Sequence, residues 1–315
     1  MRIQGMPTLA EEDVRSYVRA GWIASRVKER AAREVKPGAR VLDVASSLES
    51  YIVELGGMPA FPVNISINSE AAHRTAYLGE ESVVPEGSVV KIDIGVHVNG
   101  FIADTAITLD FSGRMAGLVE AVNEALEKAL RYVKPGVRVS DVGALIERTI
   151  RSRGFKVVRN LSGHSLDRYV VHAGETVPNY RETLNLSRFR TSAAYAIEPF
   201  ASTGRGIVSN ERRVYIYAVR RLGVEQGTLE ARVIGEVYRK VKTLPFTERW
   251  FPELVSELGL QSFRGVLSEL ARRGYLVAYP VLSDTPGSYV AQAEETVLIL
   301  DDGSTIVITS GESYG

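Results

Sequence analysis

Ten residues recur almost unchanged further along the chain: VKPGARVLDV at 35–44 returns as VKPGVRVSDV at 133–142, an offset of 98. The match runs past the decapeptide, with Glu49 meeting Glu147, Ile52 meeting Ile150 and Gly56 meeting Gly154. Apolar residues at helical spacing precede each copy, Val14, Val18, Trp22 and Val27 in the first and Leu118, Val122, Leu126 and Leu130 in the second. Pro-Gly ends each helix. A second amphipathic helix is predicted in each copy, from Asp43 or Asp141 as N-cap to Gly56 or Gly154 as stop. The repeat is too long for a short-period solenoid. It predicts two similar α+β halves related by a pseudo-twofold axis, with a ligand site between them.

What is missing narrows the chemistry of such a site. None of the 315 residues is cysteine, which removes disulfides, thiolate zinc sites, iron–sulfur clusters and a cysteine nucleophile. Any metal must rest on His, Asp and Glu. With 38 Lys+Arg against 38 Asp+Glu and 45% hydrophobic residues, the chain reads as globular and lacks the net positive charge of most nucleic-acid binders. The opening MRIQGMPTLAEEDV has no apolar leader core, and no apolar run reaches the roughly 20 residues of a membrane span. A cytoplasmic protein is expected.

Strand-like runs occupy 89–98, 101–111, 168–173, 193–201, 214–219, 289–300 and 304–309. The stretch 206–280 differs. It holds helical patterns at 228–243 and 262–273, a stop at Gly274 and then the strand-like YLVAYPVL. Helices followed by a short hairpin suit a winged-helix-like module, and an embedded helical elaboration without a nucleic-acid role fits the same pattern. The expected organisation is a catalytic unit of 1–205 and 281–315 interrupted by an inserted helical subdomain, 206–280.

The segment SVVKIDIGVHVNGFIADTAITLDF (88–111) carries the strongest local signal. Asn99-Gly100 favours a two-residue hairpin turn, which places Val98 opposite Phe101 and Gly95 opposite Asp104. Alternation then puts Asp93 and Asp104 on one face as diagonal neighbours, with Cα atoms roughly 7–8 Å apart. Two such carboxylates either converge on a cation or face solvent on a half-exposed sheet; spacing alone leaves both open. Glu198 in AAYAIEPFAS and Glu294 in YVAQAEETVLIL are charges inside apolar runs, where a carboxylate needs a partner. The four histidines, His73, His97, His164 and His172, lie near these segments, His164 in the loop-like LSGHS. One imidazole with several carboxylates suits Mn, Co, Fe or Zn in a two-metal hydrolase.

Several strings, in order, resemble the type 2 methionine aminopeptidases, close to the archaeal form: PAFPVNISIN…AAH (59–73), KIDIGVHVNGFIADTAIT (91–108), NLSGHS…HAG (160–174), AIEPFASTG (196–204), LPF…RW (244–250) and AQAEET (291–296). The resemblance spans about residue 10 to 309. It implies the pita-bread fold of two pseudo-symmetric halves, with a winged-helix-like insertion between the last two metal-binding segments. Carried over by position, it makes Asp93, Asp104, His164, Glu198 and Glu294 the ligands of two divalent cations, Asp104 and Glu294 bridging. His73 and His172 would contact substrate around the scissile bond, and Phe61 and Val171 would line the methionine pocket. A water bridging the two metals would be the nucleophile, with Glu198 shuttling protons.

The implied activity is removal of initiator methionine from nascent proteins and peptides whose second residue is small. A proline-directed peptidase of the same fold, or a non-enzymatic RNA- or ribosome-binding relative, is the alternative. Arg212, Arg213, Arg220, Arg221, Arg232 and Arg239 leave room for ribosome contact, without sequence-specific nucleic-acid recognition, and a monomer is expected. Two motifs depart from the family pattern: Arg74 and Ala76 replace a tyrosine and a proline beside His73, and Ala293 and Glu295 replace an aromatic and a histidine beside Glu294. Alternation points Glu295 away from the face of Glu294.

Overall fold

A computed structural model describes residues 8–311. The first seven residues, half of the segment read above for a leader, and the last four lie outside the described residues. Each copy of the repeat is a helix pair, α1 (Glu11–Glu34) with α2 (Val41–Glu54), and α3 (Ala116–Tyr132) with α4 (Val139–Ser152). Gly38 and Gly136, both at φ +81°, make the two Pro-Gly connections.

The expected caps need correction. Helices α2 and α4 start at Val41 and Val139, with Arg40 and Arg138 as N-caps, so Asp43 and Asp141 fall inside the first turn. Neighbouring backbone does the capping instead: Val41 N–H donates to Ser82 O at 3.0 Å and Val139 N–H to Ser187 O at 3.1 Å. The two aspartates still oppose the positive end of the helix dipole.

Two antiparallel sheets carry the halves. In the first, Val89–Val98 pairs with Phe101–Asp110 on one edge and with Met58–Pro59 and Asn64–Ile67 on the other. In the second, the order is Thr305–Val307, Glu295–Ile299, Ala193–Ile197, Ser162–Leu166, Thr176–Pro178. One isolated bridge, Ala106 to Glu294, joins them, with hydrogen bonds of 3.2 and 3.1 Å. Apolar side chains of α1 and α2 (Ile23, Val27, Leu48, Ile52) pack into one core, and those of α3 and α4 (Val122, Leu126, Ile146, Ile150) into a second. The duplication in sequence is thus a duplication of helix-on-sheet layers.

Helices α5 (Leu229–Val241), α6 (Pro252–Leu258) and α7 (Leu260–Arg272) follow the strand Ser209–Val219 and precede Leu276–Ser283. Those two strands pair with each other, Val219 opposite Leu276, rather than forming a hairpin local to the last helix. A ladder that brackets all three helices holds both ends of the stretch together, and it continues onto Glu70–Ala72. A second tie is ionic: Arg249 makes two 2.7 Å bonds to Glu49 of α2, and Trp250 Nε1 donates to the same carboxylate at 2.8 Å.

The run 168–173, read above as a strand, is a turn. Tyr169 adopts φ +60°, which no strand allows. Its ring fills the space beside Gly100, where a Cβ would meet the ring at 2.4 Å. Its N–H donates to Gly100 O at 2.8 Å, and its carbonyl accepts from Thr243 at 2.6 Å.

Candidate metal centre and substrate pocket

The hairpin has the register expected from its turn: Val98 faces Phe101, Gly95 faces Asp104 and Asp93 faces Ala106. Asp93 and Asp104 therefore share a face, and this face is covered rather than wet, since Asp104 is 2% exposed. Glu198 and Glu294 sit where two strand runs change sheets together. Ala193–Ile197 and Glu295–Ile299 pair in the five-stranded sheet, whereas Phe200–Ser202 and Val290–Gln292 pair in another. Each carboxylate leaves the chain at the switch. His164 enters from Ser162–Leu166, where Gly163 lets the strand approach Ala196 O; a Cβ there would come within 2.3 Å.

His164 Nε2 lies 3.5 Å from Glu198 Oε1 and 3.8 Å from Asp104 Oδ2. Asp104, His164 and Glu294 each offer one ligand atom within 4.8 Å of the others. Burial pushes Asp93 up to about 7. Burial, reinforced by the neighbouring carboxylates, raises Asp104, Glu198 and Glu294 well above the usual carboxylate range. Burial also lowers His164 to about 3, leaving a neutral imidazole. Asp93 Oδ1, Asp104 Oδ1 and Glu294 Oε1 are buried without a hydrogen-bond partner among the described residues. Unmatched buried oxygens beside a neutral imidazole are what a divalent cation requires, and this oxygen-rich set fits Mn, Co, Fe or Zn.

A cavity of about 110 Å³ opens onto these groups. Phe61, Val171, Ile216 and Pro245 give it apolar walls, and His73, His172 and Tyr279 also line it. His73 is held at φ +62°, and its ring Nδ1 lies 3.1 Å from Pro280 O. Donation from Nδ1 to that carbonyl leaves Nε2 as the free acceptor of a neutral ring, consistent with burial lowering His73 to about 4. The rings of His164 and His172 stand 4.4 Å apart, and Tyr279 lies 5.4 Å from His73 and 6.3 Å from His172. His97 stays apart, its ring against Tyr169 at 5.5 Å.

Residues 15–232 match the family model described as metallopeptidase family M24. The chain belongs to this family. Relatives of the M24 protein include the methionine aminopeptidase of Pyrococcus horikoshii, 41% identical over 294 residues, which cover 93% of this chain and 99% of that one. That of Saccharolobus solfataricus is 37% identical over 303 residues, covering 96% and 99%. Among solved structures, a thermophilic Arx1 superposes with TM-score 0.83 at 16% identity, over 98% of this chain and 93% of that chain, which speaks for the fold alone. As an M24 metallopeptidase, the protein is a metal-dependent hydrolase built from two α+β halves.

Sequence reasoning brought together Asp93, Asp104, His164, Glu198, Glu294, His73, His172, Phe61 and Val171, and all nine line this M24 cavity. It passed over Tyr279, Ile216 and Pro245, which lie in the 206–280 stretch. It also gave no role to Gln292, whose side chain donates to Glu294 Oε2 at 2.9 Å. The departures beside the motifs turn away from the cavity. Arg74 is buried in an ion pair with Glu80, Ala76 and Ala293 are buried, and Glu295 pairs with Lys28.

Proposed function

We propose that this M24 enzyme removes N-terminal methionine from nascent proteins and peptides, preferring a small second residue. The observation that carries the reading is a small cavity in which apolar walls and buried carboxylates face each other, in a chain 37–42% identical to proteins named methionine aminopeptidase. In this reading Asp93, Asp104, His164, Glu198 and Glu294 would together hold two divalent cations. Bound cations supply an ionised water near neutral pH and polarise the scissile carbonyl.

The chain's own residues do the rest. Phe61 and Val171 receive the methionine side chain, a flexible thioether suited to an apolar wall. His73, anchored through Nδ1, offers Nε2 to a substrate N–H, and His172 stabilises charge developing on the carbonyl oxygen. Glu198, at the edge of the same carboxylate group, would move a proton from water to the leaving amine.

The substrates are polypeptide N-termini, which for nascent chains are met in the cytoplasm, and the enzyme is read as working there as a monomer. Among the described residues no helix is long and apolar enough to cross a membrane. Contact with the ribosome, without base-specific recognition, is supported by the exposed Arg212, Arg220, Arg221 and Arg239 of the inserted subdomain 206–280. Arg213 and Arg232 are instead tied up with Glu70, Glu211 and Glu257. The test is hydrolysis of a Met-Ala-Ser peptide beside a Xaa-Pro peptide, after chelation and re-addition of Mn, Co, Fe or Zn. Release of methionine is expected; cleavage of only the Xaa-Pro peptide, or of neither, overturns the reading.

A further inference from the structure

We propose that Lys28 and Glu295 form a clamp that sets the separation of Asp104 and Glu294 and so presets the centre for its cations. The inference rests on the reading of Asp104 and Glu294 as ligands. At this place the two halves are joined by little regular structure: the Ala106–Glu294 bridge and the side chains of Thr105, Thr108 and Thr296. No continuous ladder fixes the distance between the strands. Thr105 follows Asp104 and Glu295 follows Glu294, so both point to the face opposite the carboxylates.

Behind the centre, one ammonium collects the neighbouring groups. Lys28 Nζ, from the C-terminal half of α1, lies 2.5 Å from Glu295 Oε1, 2.9 Å from Thr105 Oγ1 and 3.3 Å from Thr309 O. Thr105 Oγ1 in turn lies 2.8 Å from Glu294 O and 3.2 Å from Glu295 Oε2. The pair is only 15% and 17% exposed, so solvent screens it weakly. A single ammonium thus holds the residue after Asp104 and the residue after Glu294, and a displacement of either strand stretches its contacts. Lys28 also neutralises Glu295, the carboxylate this chain carries where the related pattern has a histidine. Lys28 and Glu295 act as positioning residues; neither lines the cavity.

The experiment uses full-length protein stripped of metal, with Mn(II) titrated calorimetrically and thermal unfolding of the metal-free protein measured in parallel. Lys28→Met is expected to weaken Mn(II) binding roughly 10- to 100-fold, the usual effect of removing support behind a ligand. Glu295→Gln, a milder isosteric change, is expected to do likewise, and the double variant to lose no more than the worse single one. KM for Met-Ala-Ser at saturating Mn(II) should stay at the wild-type value. Wild-type affinity in both single variants overturns the clamp, as does an affinity loss accompanied by a comparable collapse of the metal-free fold. Glu294→Ala separates the two ideas. If it binds Mn(II) as the wild type does, the ligand reading fails and the clamp with it; if it does not bind while Lys28→Met binds normally, only the clamp fails.

Discussion

The hydroxyl of Thr296 is held between the main-chain N–H and C=O of Asp104, accepting from one and donating to the other at 2.8 Å each. A side chain here takes the place of a missing rung between the two half-sheets. Thr296→Val keeps the shape and removes both bonds, leaving a buried donor and acceptor unmatched. We expect the metal-free protein to lose about 1–3 kcal/mol in urea unfolding. An unchanged midpoint and slope would show that water replaces the hydroxyl.

The raised carboxylates make the metal-free fold sensitive to pH. Asp93, pushed up to about 7, and Asp104, Glu198 and Glu294, raised well above the usual carboxylate range, keep protons in the folded chain that the unfolded chain releases above about pH 4. That stability is complete below the unfolded values and drains away as pH rises through the folded ones. The site histidines, lowered by burial, act oppositely but only below about pH 6.5. Lys91, lowered to about 7, opposes the carboxylates above that pH in metal-free and loaded protein alike. Cations displace the carboxylate protons, so the Tm gap between Mn(II)-loaded and chelated protein should widen from about pH 6.5 to 8. A gap that narrows contradicts this account.

Gly95 stands opposite Asp104, and Phe61 lies against it so closely that a Cβ would meet the ring at 2.2 Å. Gly95→Ala should push Phe61 into the cavity. We expect kcat/KM for a Met-initiated peptide to fall roughly 10- to 200-fold, as for methylene-sized changes in apolar pockets. The fall should be smaller for a peptide beginning with a shorter apolar residue, at unchanged Mn(II) affinity. Equal losses on both peptides would place the effect elsewhere.

Arg249→Met strands Glu49 in a buried position, 7% exposed. Breaking such a pair costs about 3–5 kcal/mol, so cooperative unfolding should shift by that amount. Adding Glu49→Gln should recover part of it, because the charge left behind disappears. If Arg249→Met alone is neutral, helices α5 to α7 are held by their apolar contacts.

Much of the centre was legible in the sequence because it depends on local rules. Asn99-Gly100 allows one tight turn, and the turn fixes which aspartate meets which residue. Glu198 and Glu294 stood out as charges in apolar runs. Tyr279 was not legible, because only the pairing of Ser209–Val219 with Leu276–Ser283 across three helices delivers it to the cavity. The strand reading of 168–173 failed for a related reason. YVV has strand composition, yet contacts from Gly100 and Thr243 impose a left-handed residue within it. Asp43 and Asp141 have good capping chemistry, but a neighbouring backbone carbonyl already satisfies the helix start.

A separation of 189 residues lies between Thr105 and Glu294, which meet behind the centre. During synthesis the hairpin with its two aspartates exists long before the chain contains the glutamates that complete the set. Contacts so distant in sequence close late and slowly. An unfinished or half-folded chain therefore has no complete ligand set, and peptidase activity becomes a property of the finished molecule, kept from acting while the enzyme is itself still being made.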